Sequence, residues 1–378
     1  MPASCSFSLL THRPEAIAPV LGNALRGLGA PAGGGAVFLG GSIGRFLLEA
    51  AQAVKTVADG VPIIVAAGAG VMTERGEIEQ APAIAGIVWR GRRASAFALD
   101  ADRAEGDLSN RVSTAATNAL GGRSGAVLLF ATRERVSPAD LLGLDRDGPA
   151  PILFGGGTLG RPGAVAVVGD KLLAGDVVGL AIQAPALPIV RVSPACKLLD
   201  DLEVVTEADG ALLLRLGSRS ALEVLSSMAP RAPRGRVVVL VVESVREGAR
   251  APQLIIRGIR GVHERRAGLV ISEDVAVGMR VGFATIDAAA ARDGLEASLR
   301  QISRETRGGV PLFGLYIDCA GRGSSLHGEK DVDVELIRAR WPGLPFAGIK
   351  SAFEIGPGRR GATTHLYSGV FALFHAPS

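Results

Sequence analysis

One order of segments occurs three times in this chain and restricts its fold more than any other feature. A short apolar run leads through a turn into a helical stretch, and a second apolar run then opens on proline. In the first unit Ala36-Val37-Phe38-Leu39 precedes a glycine-rich turn. Phe46, Leu47, Ala50, Ala51 and Val54 follow at helical spacing, Asp59-Gly60 stops the helix, and Pro62-Ile63-Ile64-Val65 begins the next strand. The second unit runs from Ala126-Val127-Leu128-Leu129-Phe130 through Ser137-Pro138 to Pro151-Ile152-Leu153-Phe154. The third runs from Leu315-Tyr316-Ile317 through a helix over Val332 to Arg340 to Pro345-Phe346-Ala347-Gly348. Proline has no ladder hydrogen to lose at the first residue of a strand. Each unit has the size and order of a β-α-β crossover. Three of them predict an α/β protein with a repeated module.

The remaining segments mix other strands into this plan. Arg236 to Val242 is a β-branched run and predicts a buried strand. Leu254 to Phe283 alternates strand signals with polar turns, as an antiparallel meander does. Asp287 caps a helix that runs to about Arg307 and ends at Gly308-Gly309. The expected fold class is therefore α/β with mixed α+β sheets, in two related halves packed into one sandwich-like body. With 378 residues the chain has room for two domains, placed at 1–200 and 201–378.

Composition narrows the function classes. The net charge is +4, and the basic clusters Arg90-Gly91-Arg92-Arg93, Arg231 to Arg236, Arg265-Arg266 and Arg359-Arg360 are scattered. Nucleic acid demands a continuous basic footprint, so these read as solvated loops and no nucleic-acid partner is expected. Aromatic residues make up 4%, too few for a single-strand stacking groove. Cys5, Cys196 and Cys319 form no framework of disulfides and no C-x-x-C metal pair, so no metal site is expected. No signal peptide and no membrane-length apolar run is read, so the expected location is the cytoplasm and no membrane partner is expected.

Two glycine motifs invite functional readings. Gly155, Gly157 and Gly160 satisfy G-x-G-x-x-G, but a strand-like Ala164 to Val168 follows where a dinucleotide site needs a helix. A glycine hairpin is the better reading. Gly40-Gly41-Ser42-Ile43-Gly44 satisfies G-x-S-x-G between strand and helix, which makes Ser42 a candidate nucleophile for a serine hydrolase. No histidine or acid has a local setting that completes a triad, so no catalytic residue is assigned and no enzyme is expected.

The segment Asp318-Cys319-Ala320-Gly321-Arg322-Gly323 is more specific. It leaves a strand directly, and its glycines let backbone N–H groups turn toward a ligand. Arg322 has the fork for a carboxylate or phosphate. A second loop at Glu354-Ile355-Gly356-Pro357 follows the next strand. Neighbouring strand ends form the ligand crevice of such sheets. The expected ligand-binding residues are thus Cys319, Gly321, Arg322, Gly323 and Glu354, with Cys196 lining the site. Arg322 and Glu354 would hold a carboxylate and an ammonium group, or only each other.

The run Phe313 to Gly323, Leu344-Pro345-Phe346-Ala347-Gly348, Glu354-Ile355-Gly356-Pro357 and the closing strand His365 to Phe374 resemble the FIST C domain. Pro62 to Trp89, with Gly76-Glu77-Ile78-Glu79, and Pro151 to Gly157 resemble the FIST N domain. Ala211 to Leu225 resembles the junction between them, and Val192 to Cys196 the segment before it. The resemblance implies an intracellular sensory protein in bacterial signal transduction that binds a small, amino-acid-like ligand and signals through a separate protein partner. It also implies an alternative, a haem-based nitric oxide sensor, with Cys196, Cys319, His327 and His365 as candidate haem ligands. Ala195 before Cys196 and Phe353 before Glu354 depart from the family pattern.

Overall fold

The computed structural model describes residues 2–102, 107–136, 138–141, 151–228, 230, 237–244, 253–306, 308–358 and 361–377. Ser137, Arg307, the basic cluster 231–236, the start of the strand predicted at Arg236 and the pair Arg359-Arg360 lie outside these residues.

All three expected units form. The parallel pairs are Ala32–Gly40 with Ile63–Gly68, Gly125–Thr132 with Ile152–Thr158, and Pro311–Cys319 with Phe346–Ser351. Pro62, Pro151 and Pro345 stand immediately before the second strand of each pair. Each pair occupies its own six-stranded sheet. An antiparallel return strand flanks it on one side: Ala83–Arg90, Val177–Gln183 and Ser368–His375 respectively.

On its other side each pair accepts a hairpin from a different unit. The chain leaves Ile63–Gly68 for Gly70–Thr73 and Gly76–Glu79, which join the sheet of the third unit. It leaves Phe346–Ser351 for Glu354–Pro357 and Ala362–His365, which join the sheet of the second. It leaves Ile152–Thr158 for Ala164–Val168 and Lys171–Ala174, which join the sheet of the first. The exchange closes a ring of three. Residues on both sides of position 200 therefore share sheets.

Strand alternation separates the two faces of each sheet. The inward faces meet in one apolar core that includes Phe38, Phe130, Phe154, Phe313, Ile317 and Phe374. Outside, helices Ile17–Gly27 and Leu47–Lys55 cover the first sheet, Leu108–Leu120 the second, and Ala288–Glu305 with Val332–Arg340 the third. Asp287 caps its helix as expected, its Oδ1 accepting from the Ala290 N–H at 2.9 Å. No helix opens after Gly160; the strand Ala164–Val168 follows, as a glycine hairpin requires.

Residues 196–286 leave the ring between Ile189–Pro194 and Ala288–Glu305. Their strands pair antiparallel throughout. The two ends of this sheet, Gln253–Arg257 and Ile259–His263, are separated in sequence only by Gly258, so the sheet wraps round onto itself. Leu213, Val224, Leu240 and Phe283 fill its interior. No helix among the described residues is long and apolar enough to cross a membrane.

Candidate functional site

The parallel pair of the third unit ends in charge. Asp318 and Lys350 are in register on neighbouring strands, and Lys350 Nζ lies 2.8 Å from Asp318 Oδ2. The hairpin donated by the first unit brings two more carboxylates to the same ammonium, Glu77 at 2.9 Å and Glu79 at 3.3 Å. Period-two alternation puts both glutamates on one face of their strand. Arg322 Nε reaches Asp318 Oδ1 at 2.9 Å, and its Nη2 reaches Asp333 Oδ2 at 3.1 Å. Its Nη1 donates to the Ser193 carbonyl at 3.0 Å. The Tyr316 hydroxyl donates to Asp333 at 2.7 Å. Glu354 accepts from the Ser351 hydroxyl and from the Ser368 N–H, each at 3.1 Å.

Asp318, Arg322 and Glu354 are each 0% exposed. Among the described residues the network sets five carboxylates (Glu77, Glu79, Asp318, Asp333 and Glu354) against two permanent cations, Lys350 and Arg322. Burial raises Asp318, Glu77 and Glu354 above the ordinary carboxylate range, although Lys350 pulls the first two down and the Ser368 N–H pulls down the third. Burial pushes Asp333 the same way, but Arg322, the hydrogen bonds from His327 and Tyr316, and Lys350 together outweigh it and hold Asp333 low. Lys350 is driven up against its own burial, first by Asp318 and then by Glu77. The result is an acid-rich, low-dielectric pocket of charge.

The other two units serve as an internal comparison. The first pair ends with Leu39 against Ala67 and Gly40 against Gly68; the second ends with Ala131 against Gly157 and Thr132 against Thr158. Neither end carries an ionised side chain. The β-α-β fold closes without the network, so the charge belongs to the third unit's own chemistry.

The fork of Arg322 is occupied by Asp318, Asp333 and the Ser193 carbonyl. Glu354 is likewise enclosed, and the ion pairs of the described residues do not join it to Arg322. The turn at Gly323 does hold a carboxylate, but it is Glu79, whose Oε2 accepts from the Ser324 N–H at 3.0 Å and the Ser324 hydroxyl at 2.5 Å. A side chain at Gly323 would overlap that carboxylate. Gly321 is exposed, and the Tyr367 ring lies beside it. Tyr367 has φ of 49°, an uncommon conformation for a bulky residue. Cys319 is buried and burial pushes its thiol far up. Cys196 is half-buried in an apolar cluster with Leu326, Leu366 and Tyr367, and burial raises its thiol to about 11.

The hydrolase reading lacks its partners: Ser42 is exposed, and no hydrogen bond joins it to a histidine or carboxylate among the described residues. The four candidate haem ligands do not suit a macrocycle. His365 is 1% exposed with Nε2 held 3.2 Å from the Pro357 carbonyl. The His327 ring is enclosed with Nε2 3.5 Å from Asp333, and neither thiol is poised as thiolate.

Sequence reasoning missed Lys350, Asp333, Tyr316, Glu77 and Glu79 as site residues. A signal was present for three of them. Glu77 and Glu79 alternate within a strand, and Lys350 interrupts an apolar strand run.

A model of the FIST N domain matches residues 35–219, and a model of the FIST C domain matches residues 219–357. An uncharacterized protein of Mycobacterium tuberculosis (strain H37Rv) is 30% identical over 337 residues, covering 85% of this chain and 86% of the relative. An uncharacterized protein of Mycobacterium bovis is 30% identical over 211 residues, 53% of this chain and 54% of the relative.

Proposed function

This chain belongs to the FIST family, and from that premise we propose that it is a cytoplasmic sensor of a small, amino-acid-like molecule, working through a separate signalling protein. FIST domains are associated with sensing in signal transduction and with small-molecule binding. The observation that carries the finer reading is the confinement of the charge network to one of three repeated strand ends. A buried ionic cluster that the fold does not need is costly to keep.

The surplus of carboxylates suits an ammonium group. The Ser324 N–H and hydroxyl, now held by Glu79, suit a carboxylate. Gly321 and the half-buried Tyr367 mark the open side through which such a molecule reaches them. Arg322 is a positioning residue in this scheme, holding Asp318 and Asp333 in place. Ligand binding acts by favouring one of two arrangements, which requires a difference in affinity between them.

A thermal-shift screen of the common amino acids tests the reading. A bound amino acid raises the melting temperature by mass action. The rise is expected to vanish in Gly321→Leu, which fills the open side without touching the buried ion pairs. An equal rise in both proteins, or none with any amino acid, contradicts it.

A further inference from the structure

Glu354 stands where the chain crosses between two sheets. It opens the hairpin Glu354–Pro357 and Ala362–His365, which lies in the sheet of the second unit. Its hydrogen-bond partners lie in the sheet of the third. Ser351 is the last residue of Phe346–Ser351, and Ser368 is the first of the return strand Ser368–His375. One buried carboxyl group thus ties the point where the chain leaves the third sheet to the point where it comes back.

Two shortages set this carboxyl apart. The first is of charge. Among the described residues, Asp318, Glu77 and Glu79 touch Lys350 and Asp333 touches Arg322, whereas the contacts of Glu354 are with neutral donors. The second is of hydrogen. The Ser351 hydroxyl lies 3.1 Å from Glu354 Oε1 and 3.1 Å from the Asp318 carbonyl. It has one hydrogen to give, and both neighbours are acceptors when Glu354 is ionised. A proton on Oε1 removes both shortages. Oε1 then donates to Ser351 Oγ, Ser351 donates to the Asp318 carbonyl, and Oε2 still accepts from the Ser368 N–H. No buried charge is left without a counter-ion.

The surrounding groups agree. Burial pushes Glu354 up and Asp318 adds to it, against the Ser368 N–H, the Ser351 hydroxyl and Arg322. Lys350, beside Ser351, is taken by Asp318, Glu77 and Glu79. Burial keeps the Cys319 thiol and the Tyr367 phenol protonated and His365, opposite Glu354 in register, neutral. Gly155 and Gly156 bring no side chain from the other neighbouring strand.

We propose that Glu354 carries a proton in the folded protein at neutral pH, and that this proton is a pH-sensitive latch whose loss withdraws Ser351 from the Asp318 carbonyl and loosens the hairpin. The latch does not rest on the amino-acid reading. Below the ordinary glutamate value it stabilises the fold in full. As pH rises from there through the folded value, the unfolding equilibrium shifts toward the unfolded chain by up to about tenfold per pH unit.

The full chain, isotope-labelled at the glutamate δ-carbon, tests this by carbon NMR. At neutral pH a resonance is expected at the carboxylic-acid position, absent from Glu354→Gln and moved by Ser351→Ala. Glu354→Gln keeps the donor and the acceptor of the protonated acid, so in denaturant unfolding it should lack the parent's loss of stability with rising pH. Amide exchange in Glu354–Pro357 and Ala362–His365 should quicken more steeply with pH in the parent than in Glu354→Gln. A neutral-pH spectrum with every glutamate at the carboxylate position overturns the proposal, whether or not Glu354→Gln folds. So does a set of acid-position resonances none of which Ser351→Ala moves. Equal pH dependence of exchange in the two proteins overturns the latch.

Discussion

Asp318 and Lys350 face each other across the third parallel pair, 2.8 Å apart at the next-to-last register position. In the first unit that position holds Leu39 against Ala67. The comparison predicts unequal effects from single and double replacement. Lys350→Met leaves Glu77 and Glu79 without their cation and Asp318 with Arg322 alone, and loss of one partner from a buried pair costs about 3–5 kcal/mol. Asp318→Leu with Lys350→Ala copies the first unit. The double variant is expected to be less destabilised than the sum of its singles by at least about 1 kcal/mol in denaturant unfolding.

Asp333 is held below the usual aspartate range by Arg322, against the opposing push of burial. A group depressed in the folded state contributes stability above its unfolded value and loses it as pH falls through the folded one. Asp333→Asn is therefore expected to cost about 3–5 kcal/mol at neutral pH. The gap to the parent protein should hold steady down to the ordinary aspartate value and narrow only below it. A gap that closes above that value contradicts the assignment.

His365 carries a second pH signature. Burial, then the nearby Arg257, lowers its value from 6.5 to about 3. The ring stays neutral in the fold while it protonates in the unfolded chain. Stability from this residue is full above 6.5 and falls as pH drops toward 3, by up to about 1.4 kcal/mol per pH unit. Unfolding curves of His365→Gln should lack that share of the slope.

Gly323→Ala places a methyl group where the Glu79 carboxylate lies. Glu79 then leaves the Ser324 N–H and hydroxyl, at a cost of about 1–3 kcal/mol for the stranded polar groups. Amide exchange should quicken in Gly70–Thr73 and Gly76–Glu79, the strands that Glu79 pins to the third unit. Unchanged protection there would show that the pin is not needed.

The thiols should rank by their surroundings. Only the thiolate alkylates readily. Cys319 is buried and its thiol is pushed far up, while Cys196 is half-buried with its thiol near 11. Mass spectrometry of the native protein treated with iodoacetamide at neutral pH should find Cys319 unmodified until denaturant is added. Cys196 should react slowly.

The strand ends at Cys319 to Gly323 and at Glu354 were legible as a site, because glycines, a thiol and charges follow apolar runs there. Their partners were not. Arg322 looked like a free fork because Asp333 stands eleven positions on, beyond a turn, and Ser193 stands 129 positions away. Glu79 reaches Ser324 across 245 positions. Arg92 looked solvated because its neighbours are polar in sequence. Phe374 and His375 of the last strand approach it, and it is 7% exposed.

The sequence by itself determined the three proline-opened units, their helices and their strand polarity. Hydrophobic period, caps and the missing proline hydrogen act over a few residues and leave a local mark. The tertiary structure alone decided which sheet receives each hairpin and which carboxylate meets which cation. Those pairings depend on distance through space, and burial makes that distance count: once water is excluded, a charge must find its partner wherever the fold places it.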